Sequence, residues 1–177
     1  SDEVKDPNPS ALWARALCEE LARAGVRHVC ISPGSRSTPL ALAAVVHPDM
    51  QTHVILDERA AAFFALGLAR ATGAPAAMLC TSGSAGAHYL PALVEASQDG
   101  VALIAITADR PVTLMGCGAP QTIDQQGMFG HFARASWHLE TPQMTPLALR
   151  HLRTTIARAV ALSRATAGGQ PGPVHLN

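Results

Sequence analysis

The chain of 177 residues has the length of one domain and is long enough to bury a sizeable core. Hydrophobic residues make up 48% and charged residues 15%, which excludes a disordered chain, and 13 basic residues balance 13 acidic ones, which argues against a nucleic-acid partner. So little charge beside so many apolar residues indicates that another subunit or domain covers part of the surface.

Hydrophobic periodicity predicts helices and strands that alternate along the chain. Residues 1–9 are polar and contain proline, so we expect a flexible segment, after which Ser10 caps a helix that ends at Gly25. The predicted strands are VRHVCI, HVIL, AAMLC, VALIAIT, WHLE and GPVHLN. The second predicted helix has Thr38 as its N-cap and Pro39 as its first residue and runs through Val46. The others begin at about Glu58, at the TSGSAG turn and at Pro146, and end near Thr72, Ala96 and Ala165.

This alternation predicts the fold class. Buried strands joined through helices form a parallel, doubly wound α/β sheet that helices cover on both faces, here as one domain over residues 10–177. A Gly-, Pro- and Gln-rich connection follows VALIAIT and is far longer than usual. The sequence ends at Asn177 directly after a predicted strand, so we expect a fragment of a longer protein.

Cysteine and histidine spacing gives no sign of a disulfide framework or a metal site. The four cysteines form no C-x-x-C pair, which favours reduced, packed thiols, and the eight histidines include no H-E-x-x-H. Every apolar run is interrupted by a polar residue before it reaches membrane-spanning length, and no signal peptide is visible. We therefore expect a soluble, cytoplasmic protein.

Four distinctive stretches map to the carboxyl ends of predicted strands, where doubly wound sheets bind ligands. They are Ser32–Ser37, Asp57–Arg59, Thr81–Gly86 and Asp109–Gln121. In the first, Arg36 and the backbone amides could hold an anion, or the stretch could be a simple tight turn. In the last, Arg110 could clamp a carboxylate or form an ion pair with Asp109 or a neighbouring residue.

The other polar residues at this edge also leave alternatives open. Thr81–Gly86 fits neither G-x-G-x-x-G nor G-x-S-x-G, so its glycines could simply allow close packing of helix and sheet. Glu58 could offset the helix dipole or handle a proton beside an apolar wall. The long loop offers Gln121, Gln125 and Gln126 as hydrogen-bonding groups. Three histidines are expected to be packed or hydrogen-bonded structural residues: His88, His138 and His175.

The motifs ISPGSRSTPL, LDERAAAFFALGLA, CTSGSAGAHYLPALVEA, ITADRP and CGAPQTIDQ occur in this order. Together they closely resemble the start of the MenD family, thiamine-diphosphate enzymes of menaquinone biosynthesis. The resemblance implies the first of three α/β domains, the pyrimidine-binding one. It also implies that the full enzyme decarboxylates 2-oxoglutarate and adds the product carbanion to isochorismate.

The resemblance assigns roles to individual residues. It implies that Glu58 is the catalytic carboxylate, which hydrogen-bonds a ring nitrogen of the cofactor's aminopyrimidine in a dry apolar pocket, while Asp57 and Arg59 are structural. Thr81 should lie near the pyrimidine, and Gln121 should reach the cofactor or substrate. The residues implied to bind the substrate carboxylates are Ser35, Arg36 and Arg110, with Gln121 beside them.

The departures from the family pattern concern the rest of the enzyme. No GDG motif occurs, since Asp99-Gly100 lacks the preceding glycine, so the magnesium and diphosphate site is expected in a missing domain. The fragment alone is therefore expected to be inactive and to associate as a homo-oligomer through its cofactor-binding face. Two alternatives are another thiamine-diphosphate enzyme, related to acetolactate synthase, and an inert self-associating fragment.

Overall fold

The computed structural model describes residues 8–177, in which strands and helices alternate. The strands are β1 (His28–Ile31), β2 (Gln51–Val54), β3 (Ala76–Cys80), β4 (Leu103–Thr107), β5 (Ser136–Trp137) and β6 (Val174–Leu176). The α-helices are α1 (Pro9–Arg23), α2 (Thr38–Val46), α3 (Glu58–Thr72), α4 (Leu90–Asp99) and α5 (Pro146–Ser163). Within the described range they form one six-stranded sheet of order β2-β1-β3-β4-β6-β5 in which every neighbouring pair is parallel. The predicted doubly wound α/β fold is confirmed.

Two hydrophobic clusters cover the two faces of the sheet. Helices α1, α2 and α5 pack on one face, where Leu17 and Ile156 meet Leu79 and Ile106. Helices α3 and α4 pack on the other, against Met78 and its neighbours. Because β1, β3 and β4 are buried on both faces, their sequences are apolar without alternation, apart from His28 at the start of β1 and Thr107 at the end of β4.

Several element boundaries differ from the sequence prediction. Strand β2 lies two residues before HVIL, because its register is fixed by the pairing of Gln51 with His28. Strand β5 is limited to Ser136 and Trp137, and WHLE is therefore largely irregular. The helix expected directly from TSGSAG begins instead as a 3₁₀ helix over Gly83–Tyr89, and α4 follows it.

The first helix begins earlier than predicted. Asn8 is its N-cap, with a side chain that accepts a hydrogen bond from Ser10 N at 3.0 Å, and Pro9 stands in the first turn. Ser10 is therefore inside the helix and does not cap it. The rest of the segment predicted to be flexible, residues 1–7, lies outside the described residues.

Three of the four cysteines match the prediction of reduced, packed thiols. Cys18, Cys30 and Cys80 are free and buried, whereas Cys117 is free but exposed. Burial raises the pKa of each buried thiol to about 12, so none of the three is a reactive thiolate. None of the described helices combines the length and apolarity needed to cross a membrane.

Candidate active site

The sheet topology brings the four distinctive stretches to one edge. Because all strands are parallel, residues that follow β1, β2, β3 and β4 lie at the carboxyl edge of the sheet. Glu58 follows the outer strand β2, Arg36 follows β1, Thr81 follows β3 and Arg110 follows β4. The predicted convergence on this edge is confirmed.

A pocket of about 740 Å³ opens beside the ends of β1, β4 and β6. Ser35, Arg36 and Arg110 all line it, together with Trp13 of α1. The indole of Trp13 is buried and donates a hydrogen bond to the Gln143 carbonyl at 2.5 Å, which ties α1 to the segment after β5. The structure thus joins three of the predicted site residues in one cavity, but Glu58, Thr81 and Gln121 do not line it.

Arg110 makes no ion pair with Asp109, and that alternative is wrong. The Asp109 carboxylate instead accepts hydrogen bonds from the Arg110 backbone N–H and from Asn177 Nδ2, both at 2.7 Å. The Arg110 guanidinium donates only a long bond of 3.3 Å to Pro120 O, and its Nε is buried with no partner in the described part of the chain. A buried cationic N–H without an acceptor suits a site that binds an anion.

The turn that carries Arg36 is tight and also leaves the arginine available. Ser37 donates its hydroxyl to Gly34 O at 3.0 Å and therefore does not cap α2. Within residues 8–177 no carboxylate forms an ion pair with Arg36, whose side chain is exposed at the pocket. The tight turn and the anion-binding role are thus compatible, because the turn is closed by Ser37 and not by Arg36.

Thr81 lies directly against this turn. A Cβ added to Gly34 would lie 2.3 Å from Thr81 Cβ, so glycine is the residue that permits the contact. The glycines of TSGSAG also serve close packing, as one of the alternatives held, since a Cβ on Gly86 would come within 2.9 Å of Thr107 Cγ2. The turns after β1 and β3 therefore form one continuous surface.

Glu58 begins α3, and the adjacent Asp57 provides the cap. Asp57 accepts a hydrogen bond from Ala60 N at 2.8 Å, which confirms a structural role for that carboxylate. The Glu58 carboxylate is half-buried and has no hydrogen-bond or ion-pair partner among the described residues. Burial and then the Glu58 charge raise the pKa of Cys80, which places this carboxylate within electrostatic reach of the end of β3.

The apolar wall near Glu58 is not dry within this chain. Phe63 and Phe64 expose 41% and 46% of their surface, and Val54 and Leu56 expose 69% and 79%. The expectation of a closed apolar pocket is therefore wrong for the chain alone. Leu42, Val45 and Val46 of α2 are exposed as well, at 60%, 56% and 74%, so several large apolar side chains are left uncovered by the described chain.

Two glutamines of the long loop hold the turn after β3. Gln121 adopts a left-handed backbone with φ 55° and donates Nε2 to Ser82 O at 3.0 Å. Gln125 is buried and accepts a hydrogen bond from Gly83 N at 2.7 Å, whereas Gln126 is exposed. Left-handed φ in a non-glycine residue requires surrounding support and is common at functional sites.

A polar network in the wall of the pocket was predicted only in part from the sequence. Asn177 is its centre and touches Thr107, Gln125, Asp109 and His138, each within 2.9 Å. The sequence analysis singled out Gln125 and His138 as hydrogen-bonding residues but not their common partner Asn177, because the members come from four segments that are separated along the chain. A run of polar residues directly after buried strands is the only hint the sequence contains.

The histidines divide into three cases. His175 is buried, bonds to Thr107 at 2.7 Å and packs edge-on against Phe129, as predicted for a structural residue. Burial lowers the pKa of His175 to about 4, which keeps the ring neutral. His138 is hydrogen-bonded but exposed at the pocket, and His88 is exposed with no hydrogen bond in the described range, so the structural prediction for His88 is wrong.

Comparison with known proteins gives the family. A family described as "Thiamine pyrophosphate enzyme, N-terminal TPP binding domain" matches residues 13–128. A 2-succinyl-5-enolpyruvyl-6-hydroxy-3-cyclohexene-1-carboxylate synthase of Roseiflexus castenholzii is 59% identical over 97% of this chain and 29% of its own length. The equally named proteins of Haloarcula marismortui and Myxococcus xanthus are each 53% identical, over 97% and 88% of this chain and 28% and 26% of their own lengths. The chain thus spans less than a third of these relatives.

Proposed function

The chain belongs to the thiamine pyrophosphate enzymes, as their N-terminal TPP-binding domain, and on this premise we propose that it is part of a 2-succinyl-5-enolpyruvyl-6-hydroxy-3-cyclohexene-1-carboxylate synthase. The complete enzyme would decarboxylate 2-oxoglutarate and add the resulting succinyl unit to isochorismate in menaquinone biosynthesis. The observation that carries the proposal is the pocket in which Ser35, Arg36 and Arg110 meet, because both substrates are carboxylates.

Glu58 is the proposed catalytic residue and binds the aminopyrimidine ring of the cofactor. Its carboxylate fits this role, because it is half-buried beside apolar side chains and no described residue bonds to it. When bound, thiamine diphosphate supplies the carbon nucleophile and stabilises the charge left by decarboxylation. The part of Glu58 is to share a proton between its carboxyl oxygen and a pyrimidine ring nitrogen.

Thr81 and Gln121 complete the proposed cofactor side of the site. Thr81 is buried at the end of β3 and packs against Gly34, so it sits between the turn that carries Arg36 and the turn that Gln121 holds. Gln121 has only its Nε2 bond to Ser82 O in the described chain, which leaves its amide oxygen able to accept from the cofactor or substrate.

The arginines are the proposed substrate clamps. Arg110 presents a buried Nε without an acceptor, and Arg36 is free of ion pairs in the part of the chain described, so both guanidinium groups can pair with substrate carboxylates. Ser35 adds a hydroxyl at the same pocket. Two arginines that face one cavity would hold a dicarboxylate in a fixed orientation.

Two features of the proposed enzyme, subunit assembly and Mg²⁺ binding, would involve residues outside the part of the chain described. We propose that a second copy of the enzyme covers the surface formed by Val54, Leu56, Phe63 and Phe64, which would exclude water from Glu58. Mg²⁺ and the cofactor diphosphate would be held by a further domain. Within residues 8–177 no group of three or more potential ligand side chains is placed to bind a metal ion.

The test measures turnover of isochorismate and 2-oxoglutarate with thiamine diphosphate and Mg²⁺. The chain is assayed alone and joined to the two further domains that the family resemblance predicts. Turnover by the longer polypeptide only is the expected result. If the longer polypeptide instead decarboxylates pyruvate and does not use isochorismate, the acetolactate-synthase-like alternative is correct. If it is folded but turns over neither pyruvate nor isochorismate, the alternative of an inert self-associating fragment is correct.

A further inference from the structure

In the hydrogen-bond network around Asn177, the donor and the acceptor of each bond can be assigned. Gln125 fixes the assignment, since its Oε1 must accept from Gly83 N–H and its Nε2 must donate to Ala108 O, both of which are backbone groups. Gln125 Nε2 therefore also donates to Asn177, and the Asn177 atom that receives it at 2.7 Å is the amide oxygen.

The Asn177 amide is consequently oriented without ambiguity. Its oxygen accepts from Gln125 and from the Thr107 hydroxyl, and its nitrogen donates to Asp109 Oδ2 at 2.7 Å and to His138 Nδ1 at 2.9 Å. The carboxylate of Asp109 can only accept here, which independently requires Nδ2 on that side. Both hydrogens of the amide nitrogen are used in this way.

This arrangement determines the tautomer of His138. Because His138 Nδ1 accepts from Asn177, the hydrogen of the neutral ring is on Nε2. His138 is exposed and lines the same pocket as Ser35, Arg36 and Arg110. The ring is held through Nδ1 by the Asn177 amide, and no hydrogen bond to Nε2 exists among the described residues, so this N–H can bind a ligand of the cavity at little entropic cost.

We propose that His138 is a further substrate-binding residue that donates its Nε2–H to a substrate carboxylate, and that Asn177 and Gln125 are positioning residues that act through it. The inference rests on the proposed function for the identity of the carboxylate. It adds a neutral donor to a pocket that Arg36 and Arg110 line together with the carboxylates of Asp109 and Glu140. A neutral donor favours correct orientation of an anion without adding further charge.

The experiment measures binding and turnover separately in the longer polypeptide. Succinate is titrated calorimetrically as the dicarboxylate probe, and KM and kcat are measured for 2-oxoglutarate and isochorismate. His138→Leu should weaken succinate binding and raise KM for one substrate by about 10-fold, as expected for loss of one hydrogen bond to a charged group. The kcat should change less than about 3-fold, because the clamp arginines remain.

Three further variants make the test specific. His138→Gln keeps an N–H donor and should recover most of the affinity, whereas His151→Leu, an exposed histidine of α5 outside the pocket, should leave it unchanged. Asn177→Leu alone should weaken succinate binding. Added to His138→Leu it should cause little further loss, because Asn177 acts on binding only by positioning the His138 ring. Additive losses would contradict the positioning role.

The two proposals fail differently. If the longer polypeptide turns over neither substrate but binds succinate in a His138-dependent way, the proposed function is wrong and the inference on His138 stands. If succinate does not bind, or if His138→Leu retains wild-type affinity and KM for both substrates, the inference on His138 is overturned.

Discussion

Replacement of Gln125 with leucine tests whether the buried network supports the fold as its geometry indicates. Gln125 is 1% exposed, and its amide is the partner of Gly83 N–H and of Ala108 C=O. Leucine has a similar volume, so the substitution removes hydrogen bonds without opening a large cavity. Asn177 keeps its bond from Thr107, and the main loss therefore falls on two buried backbone groups.

The magnitude follows from those two groups. An orphaned buried donor or acceptor costs about 1–3 kcal/mol, and the added apolar surface of leucine offsets part of the sum, so we expect a net loss of about 3 kcal/mol in the free energy of unfolding. For a chain of this size that corresponds to a decrease of about 6–12 °C in Tm.

The assay is urea and thermal unfolding followed by circular dichroism. Gln126→Leu is the matched control, since Gln126 is the adjacent glutamine, is exposed, and should change stability by less than about 0.5 kcal/mol. The urea midpoint of Gln125→Leu should fall at an unchanged m-value. A Tm within about 1 °C of the wild type would refute the reasoning, because it would mean that water or a rearranged loop satisfies both backbone groups.

Three other predictions concern packing, pH and catalysis. Gly34→Ala should destabilise the chain by about 1–3 kcal/mol in urea unfolding, because its Cβ would lie 2.3 Å from Thr81 Cβ. The folded-state pKa of His175 is lowered from 6.5 to about 4, so the unfolded chain binds the proton first. The contribution of neutral His175 to the free energy of unfolding is therefore complete above pH 6.5. It should fall by about 3 kcal/mol as the pH decreases from 6.5 to about 4, which is measured as the urea midpoint against pH. Glu58→Gln in the longer polypeptide should reduce kcat at least about 100-fold with an unchanged circular dichroism spectrum.

Each of these has a control within the chain. Gly67→Ala meets nothing within 4 Å and lies inside α3, so it should stabilise by up to about 1 kcal/mol, and equal effects at both glycines would contradict the packing argument. His175→Gln should have a shallower pH slope than the wild type. Asp57→Asn keeps a good N-cap and should retain turnover, whereas comparable losses at Asp57 and Glu58 would remove the special role of Glu58.

The sequence predicted the sheet and its helices because both depend on local pattern. Residues 76–80 and 103–106 are continuously apolar, which is typical of a central parallel strand, and every residue of the strands β3 and β4 is buried. Prediction was weaker at β2, an edge strand that is partly exposed and therefore lacks a clear hydrophobic signal. It also placed the cap of α1 at Ser10, since serine and asparagine are nearly equivalent N-caps and spacing does not decide between them.

The sequence predicted which turns form the candidate site, but not which side chains contact each other there. That Arg36 and Arg110 follow parallel strands sufficed to place them at one edge, and the structure puts them in one pocket. The burial of Gln125 and the central position of Asn177 depend on contacts over 17 to 70 residues of sequence, which no local pattern encodes. Identical residue types at Gln125 and Gln126 differ fully in environment for the same reason.

The apolar side chains near Glu58 are exposed, so the described chain alone does not exclude water from this carboxyl group. A carboxyl group exchanges a proton with a ring nitrogen effectively only where water does not compete, because bulk water solvates the anion and keeps the proton elsewhere. Phe63 and Phe64 are too exposed to exclude water by themselves, and Leu56 is more exposed still. On the substrate side, by contrast, the pocket is already formed: its arginines make no ion pair among the described residues, and the Asn177 amide is fully hydrogen-bonded. In the proposed roles, Arg36 and Arg110 form a pocket that is ready to bind substrate carboxylates, whereas Glu58 is a proton-transfer group that is still uncovered. We expect that covering the surface around Glu58 is the step that makes the site active.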